Sequence, residues 1–314
     1  MSSIRKYLKN LCKTGALAAG LVLVLAGLGY AQSGEDVYRT ENFSVSGAVS
    51  LEVQTSGGSI QVIGSNQDEV TVEMYVRRRG NYIEPGEADL SDYDIEITQN
   101  GNVVKAIVDH NSRGWNWNDN YSISFIVYAP QETRTRLKTS GGSLTAKNLT
   151  GTQELKTSGG SITTEGIEGE MVLNTSGGSI SMKDIQGDVD ARTSGGTIRA
   201  DMMVGDVDVR TSGGSIRLSG IEGKVEARTS GGSINAEVLA PSELIELRTS
   251  GGSITITVPR ELGYDLDLDG NRVYGSLENF SGEMEKDEVR GSLNGGGVKI
   301  KAKTSGGSVR LEYL

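Results

Sequence analysis

The chain has 314 residues, 23% of them charged and 36% hydrophobic, with a formal net charge of −10, 44 glycines and one cysteine. The acidic balance argues against general nucleic-acid binding, and one cysteine excludes a disulfide framework. Aromatic residues make up only 5%, so the core has to be thin and aliphatic.

Arg5, Lys6, Lys9 and Lys13 open the chain, residues 16–28 form an apolar run, and Gly29-Tyr30-Ala31 follows with small residues at the positions a signal peptidase reads. These are the parts of a secretory signal peptide, with cleavage expected after Ala31. The alternative is an uncleaved signal anchor, because residues 14–34 carry no charge and such a stretch just suffices to span a bilayer. Cys12 precedes the apolar run, so it is not a lipoprotein cysteine. Loss of the four basic residues takes the net charge from −10 to −14. The exported chain, residues 32–314, then depends on burial and backbone hydrogen bonds instead of disulfides. No second apolar segment is long enough for a membrane span. The expected location is secreted, periplasmic or at the cell surface.

The phrase TSGGS or TSGGT, followed by Ile, Leu or Val, first begins at Thr55. Residues 61–138 then break the pattern. Within them 70–76, 93–97, 103–108 and 121–128 alternate or run apolar as strands do. Arg77-Arg78-Arg79-Gly80 opens one expected loop, and residues 111–120, with Trp115 and Trp117, form another. These strands are the expected cap on one end of the protein.

From Thr139 the phrase recurs at Thr157, Thr175, Thr193, Thr211 and Thr229, always 18 residues apart, and again at Thr249 and Thr304. A fixed period of this kind marks an array of stacked units. In the unit around Thr193, Val189 and Ala191 alternate with Asp190 and Arg192. Beyond the glycines, Ile198 and Ala200 alternate with Thr197 and Arg199. Period two on both sides of Gly195-Gly196 predicts two half-buried strands, and paired glycines supply backbone angles for a sharp corner. A second corner falls at Gly151, Gly169, Gly187, Gly205 and Gly223. Two short strands cannot bury an inner face alone. Stacked at about 4.8 Å they form aliphatic ladders. The predicted fold is all-β, a parallel β-solenoid (β-helix) with 18-residue coils over 139–258. Pro241-Ser242 marks an insertion before Thr249. Residues 259–314 hold the looser C-terminal coils and cap, with an echo of the phrase at 293–298.

The TSGGSI phrases, the run GDVDART/GDVDVRT, the segment DEVTVEMYVRRRG and the ending NGGGVKIKAKTSGGSV together resemble a bacterial family of secreted or membrane-anchored proteins described as "putative adhesins" with a repeated β-strand. The resemblance covers roughly residues 40–314. It implies a β-solenoid without assigned catalytic residues, and an adhesin label that rests on architecture.

Candidate chemistry is sparse. His110 is the only histidine, and no Ser-His-Asp or Cys-His arrangement can be assembled. Asp188, Asp190, Asp206 and Asp208 recur in tandem, as glycosidase carboxylates or as outward residues that balance Arg192 and Arg210. Asp265, Asp267, Asp269 and Gly270 read as the opening of a calcium loop, but Leu266 and Leu268 alternate with the aspartates as in an amphipathic strand. No metal and no cofactor are expected. Stacking aligns Arg192, Arg210 and Arg228, and across the corner Arg199 and Arg217, into basic stripes beside acidic ones. Such stripes are either self-neutralising or suited to an acidic glycan or envelope polymer. Trp115 and Trp117 either stack on sugars or fold back as a cap.

The expected function is a non-enzymatic, secreted or cell-envelope scaffold for adhesion or binding, with a glycan, envelope polymer or surface protein as partner and no nucleic acid. The alternatives are a polysaccharide lyase or hydrolase on the same fold, and a periplasmic factor in envelope stress or maintenance.

Overall fold

Alternation on either side of each Gly-Gly corner becomes a pair of strands, and the pairs stack in register. The computed structural model describes residues 37–110 and 121–314. Among these residues there are 26 strands and no helix. Each strand of the array pairs in parallel with the strand 18 residues on. Ile162 lies opposite Leu144 and Ile180, and Leu173 opposite Leu155 and Ala191. Every coil adds one strand to each of two ladders. The inward residues of both ladders, Leu155, Ile180, Ala191 and Ile216 among them, share one buried core.

All nine TSGG corners stand in a single column. The threonine hydroxyl of each copy from Thr139 on donates to the carbonyl of the second glycine in the copy before it, at 2.7–2.9 Å. The same oxygen accepts the N–H of the second glycine in its own corner, as Gly196 does to Thr193 at 3.3 Å. Thr55, first in the column, donates to Ile123 O at 2.7 Å instead. The buried hydroxyl therefore satisfies two backbone groups that the corner removes from the strand ladder. This is why threonine, buried to 6% exposure at Thr193, is repeated where valine would pack equally well.

The corner glycines act differently from the sequence-based expectation. None of the paired glycines takes a positive φ. What excludes side chains is contact between coils, and it is severe at the second glycine, where a Cβ would lie 1.8–2.2 Å from a carbonyl in every copy. A Cβ on Gly196 would lie 2.0 Å from Gly178 O, whereas one on Gly195 would meet nothing nearer than 3.5 Å. At the second corner both constraints coincide: Gly187 has φ +144° and Gly205 +139°, with the next carbonyl 2.2–2.4 Å from a Cβ.

Strand orientation over the described residues is mixed: pairing is parallel through the coils, and antiparallel pairs accompany it towards both ends. Arg39–Ser44 and Glu69–Arg78 pair antiparallel, as do Tyr93–Asn100 with Val103–His110 and Phe280–Met284 with Glu288–Leu293. Arg77 and Arg78 belong to the strand Glu69–Arg78, and the turn falls at Arg79 and Gly80 with φ 54° and 89°. The echo at 293–298 is no corner. Asn294, Gly295, Gly296 and Gly297 all have positive φ and carry the chain over Tyr264–Asp269, which pairs with Glu288–Leu293 on one side and Val298–Thr304 on the other.

Coil order departs from chain order at both ends. Val49–Thr55 lies between Val103–His110 and Thr133–Thr139, so the coil of the first corner is inserted beneath one made later. Likewise Val298–Thr304 lies between Ile234–Thr249 and Tyr264–Asp269. The outermost strands of the first ladder carry exposed Asp94 and Glu96 at one end and Glu283 at the other. Like charge on both edges opposes end-to-end addition of another copy.

Candidate functional site

The coil geometry separates the predicted arginines into two groups. Arg192, Arg210 and Arg228 stand in register on the first ladder, with Arg248 following. Each is engaged by a carboxylate. Arg192 meets Asp190 at 2.7 Å, Arg210 meets Asp208 at 2.7 Å, and Arg228 meets both Glu226 and Glu246 at 3.2 Å. The hydrogen bonds that Arg210 donates to Asp208 raise the Arg210 pKa. The bond from Lys224 at 2.7 Å holds the Glu226 carboxyl below its ordinary value. This stripe is a chain of ion pairs.

Arg199 and Arg217 lie on the second ladder, opposite each other in neighbouring parallel strands. Both are exposed, and among the described residues no ion pair or side-chain hydrogen bond is formed by either. Their outward column continues through Thr163 and Ser181 on one side and Asn235 and Thr255 on the other. Two like charges one coil apart repel by about 1 kcal/mol even in water. An anion bridging both guanidinium groups relieves this repulsion and gains charge-assisted hydrogen bonds.

The tandem carboxylates have local roles. Asp188 accepts the Asp206 N–H at 2.9 Å, and Asp206 accepts the Lys224 N–H at 3.2 Å. With Glu170, Val172, Val189 and Val207 they line an open groove of about 290 Å³ at the second corner of the coils. Its floor is aliphatic and its rim carboxylate.

Asp265, Asp267 and Asp269 alternate outward along the strand Tyr264–Asp269, while Leu266 and Leu268 are buried. Asp265 accepts from Ser292 Oγ at 2.8 Å, Asp267 lies 3.5 Å from Arg290, and Asp269 lies 2.6 Å from Lys303. Among the described residues no three acidic, histidine or cysteine side chains are grouped to hold a metal ion. Their geometry is that of the amphipathic strand. His110 is exposed at a strand end, its ring edge-on to Tyr93 at 5.1 Å. Trp115 and Trp117 lie outside the described residues.

Sequence reasoning missed one feature at the second corner. Met202 takes φ +55° and is 50% exposed, with Val204 52% exposed beside it. The equivalent positions in other coils are Asn148 and Asp184, and Glu168 and Gln186. The signal was the triplet Met202-Met203-Val204, which breaks the apolar alternation.

Fold and surface define an all-β protein of stacked, solenoid-like coils with charge ladders on its outward faces and antiparallel strands at both ends. The profile of the Toastrack DUF4097 family matches residues 49–312. The chain belongs to this family. Among curated proteins no sequence matches. Three solved structures are similar over nearly their whole length. One is described as a "putative cell adhesion protein" from Clostridium sporogenes, with 10% identity, 88% of this chain and 99% of the other covered, and a TM-score of 0.24. A second, a "putative lipid binding protein" from Parabacteroides distasonis, has 16% identity, 90% and 98% coverage, and a TM-score of 0.45. The third, a "putative adhesin" from Bacteroides fragilis, has 11% identity, 87% and 96% coverage, and a TM-score of 0.35. Likenesses this loose define neither ligand nor activity.

Proposed function

We propose that the protein is a non-enzymatic, exported scaffold of the cell envelope. Its 18-residue coils form a parallel β-solenoid that holds an acidic glycan or envelope polymer along the outward face of the second ladder. The observation that carries this reading is the register pair Arg199 and Arg217, stacked, exposed and without a counter-ion among the described residues, in a column of hydroxyl and amide side chains. A repeating anionic polymer laid along such a column gains two guanidinium contacts and a run of hydrogen-bond partners without any change in the scaffold. Export rests on the basic and apolar segments before Ala31. The adhesin-like role rests on family resemblance. The non-enzymatic reading is supported by the tandem carboxylates, which hold backbone N–H groups and arginines.

The test is retention on immobilised polygalacturonate, with neutral dextran as control. Arg199→Gln/Arg217→Gln is expected to weaken retention at least about tenfold, the 1.4 kcal/mol scale of one lost charged contact. Arg192→Gln/Arg210→Gln, which removes already paired cations, should change it little. Equal losses from both variants would refute the site. Release of new sugar ends from the polymer by the wild-type protein would refute the scaffold reading in favour of a polysaccharide-cleaving enzyme.

A further inference from the structure

The two edges of the coil stack have opposite character. The TSGG edge presents serine and glycine in every copy. The second-corner edge carries Met202, Val204 and Leu239, three of the large hydrophobic side chains exposed in the described residues, at 41–52%, and Val172 is exposed on the first-ladder strand that leaves this corner two coils earlier. Val204 is in register with Glu222 and then Ala240, and Leu239 stands next to Ala240. The Met202 side chain lies over Gly220, whose missing Cβ would be 3.6 Å from Met202 Cγ.

Two observations mark this strip as more than a packing accident. Met202 is a non-glycine residue in the left-handed region, a conformation that costs an L-residue roughly 1–2 kcal/mol, at a place where sister coils use Asn, Asp or Gly. Such a residue is retained against its local preference, which points to a role outside folding. Secondly, the strip is bordered by Glu168, Glu170, Asp188, Asp201, Asp206 and Glu222, and among the described residues no ion pair neutralises any of the six. Two cations neighbour the strip: Lys183, opposite Asp201 but paired with Glu165 and Asp184, and Lys224, bound to Glu226, whose pKa is raised first by that bond and then by the surrounding carboxylates. The adjoining groove offers an aliphatic floor at Val172, Val189 and Val207 beneath a carboxylate rim. A lysine or arginine side chain fits that arrangement, with its methylene stem on the floor and its charge at the rim.

We propose that the Met202–Val204 edge docks a basic amphipathic peptide segment of a partner protein. Apolar side chains of the peptide cover Met202, Val204 and Leu239, and its cations meet the unpaired carboxylates. Charge complementarity selects this occupant. A second copy of the chain would bring the same acidic border against itself, and an acidic polymer would be repelled.

The probe is a fluorescent peptide alternating lysine and leucine, with a glutamate–leucine peptide as control, titrated by anisotropy against the full chain. Met202→Asn/Val204→Gln replaces both residues with those at the matching positions of sister coils, Asn148 and Gln186, so the fold is preserved. The lysine peptide should bind and the glutamate peptide should not. Binding should weaken with added salt, because exposed charges are screened. The double variant should lose at least about tenfold in affinity while its unfolding midpoint is unchanged or higher. A fold defect would lower that midpoint, so the two causes are separable. Undiminished binding by the double variant would overturn the proposal, as would equal binding of the glutamate peptide. Sedimentation showing a dimer that the double variant dissolves would reassign the edge to self-association.

Discussion

Gly196→Ala and Gly195→Ala, one residue apart in the same corner, should have opposite consequences. At Gly196 the new methyl would lie 2.0 Å from Gly178 O and 2.7 Å from Ser179 Cα. Carbon contacts are comfortable near 3.5–4.0 Å, so the coils at Thr175 and Thr193 would have to separate by about 1.5 Å to accept it. That movement breaks the three bonds between the two corners, Thr193 Oγ1 to Gly178 O at 2.8 Å, Ser194 N to Ser176 O at 3.2 Å and Gly195 N to Ser176 O at 2.9 Å. Three hydrogen bonds at about 1 kcal/mol each, with overpacking strain of about 1–3 kcal/mol, give a loss near 4–6 kcal/mol. At Gly195 the nearest atom to a methyl is 3.5 Å away and φ is not positive. Alanine there should be neutral or stabilise by about 0.4–1 kcal/mol, through the unfolded chain. Urea unfolding gives the total effect. Hydrogen exchange should locate it, with protection falling in the coils of Thr175, Thr193 and Thr211 and persisting far from them, because each coil contacts only its neighbours. Equal destabilisation by the two variants would refute the argument, since backbone angle would then govern both glycines.

Three further outcomes follow from particular contacts. Met202→Asn should raise stability by about 0.5–1 kcal/mol, because asparagine tolerates the left-handed region; a lower unfolding midpoint by circular dichroism would show that the methionine side chain stabilises the coil. Glu246→Ala should cost about 1–3 kcal/mol, because this buried carboxylate holds Arg228 at 3.2 Å and Arg248 at 2.7 Å; no change in urea midpoint would place the pairs among ineffective surface bridges. Tyr264 is fully buried, and desolvation pushes its pKa from 10.0 up to about 12. The folded state binds this proton more tightly than the unfolded chain, so the stability it contributes is complete below pH 10 and is lost as pH rises through about 12. Alkaline unfolding should coincide with the appearance of tyrosinate absorbance, and Tyr264→Phe should remove that component. Ionisation of Tyr264 near its ordinary value with the fold intact would contradict its burial.

The 18-residue period, the inward positions and the single column of corners were legible in the sequence for a simple reason. Side-chain alternation is local, and identical units stack best in register, since a slip of one residue would turn Ile180 or Ile198 outward. Several of the remaining strands were legible for the same reason. The insertion of Val49–Thr55 beneath Val103–His110 was not, because parallel pairing between residues such as Leu51 and Val104 leaves no local trace in either segment.

The candidate site divides along the same line. Sequence alone determined which arginines face outward and that neighbouring coils align them. Only the tertiary structure decided that Arg192, Arg210 and Arg228 are neutralised by carboxylates while Arg199 and Arg217 are not, and that one glycine of each pair is fixed by a carbonyl of the coil before it. Alternation specifies the side of the sheet on which an atom lies. The atom it touches there is set by how closely the next coil approaches, and that distance exists only after stacking.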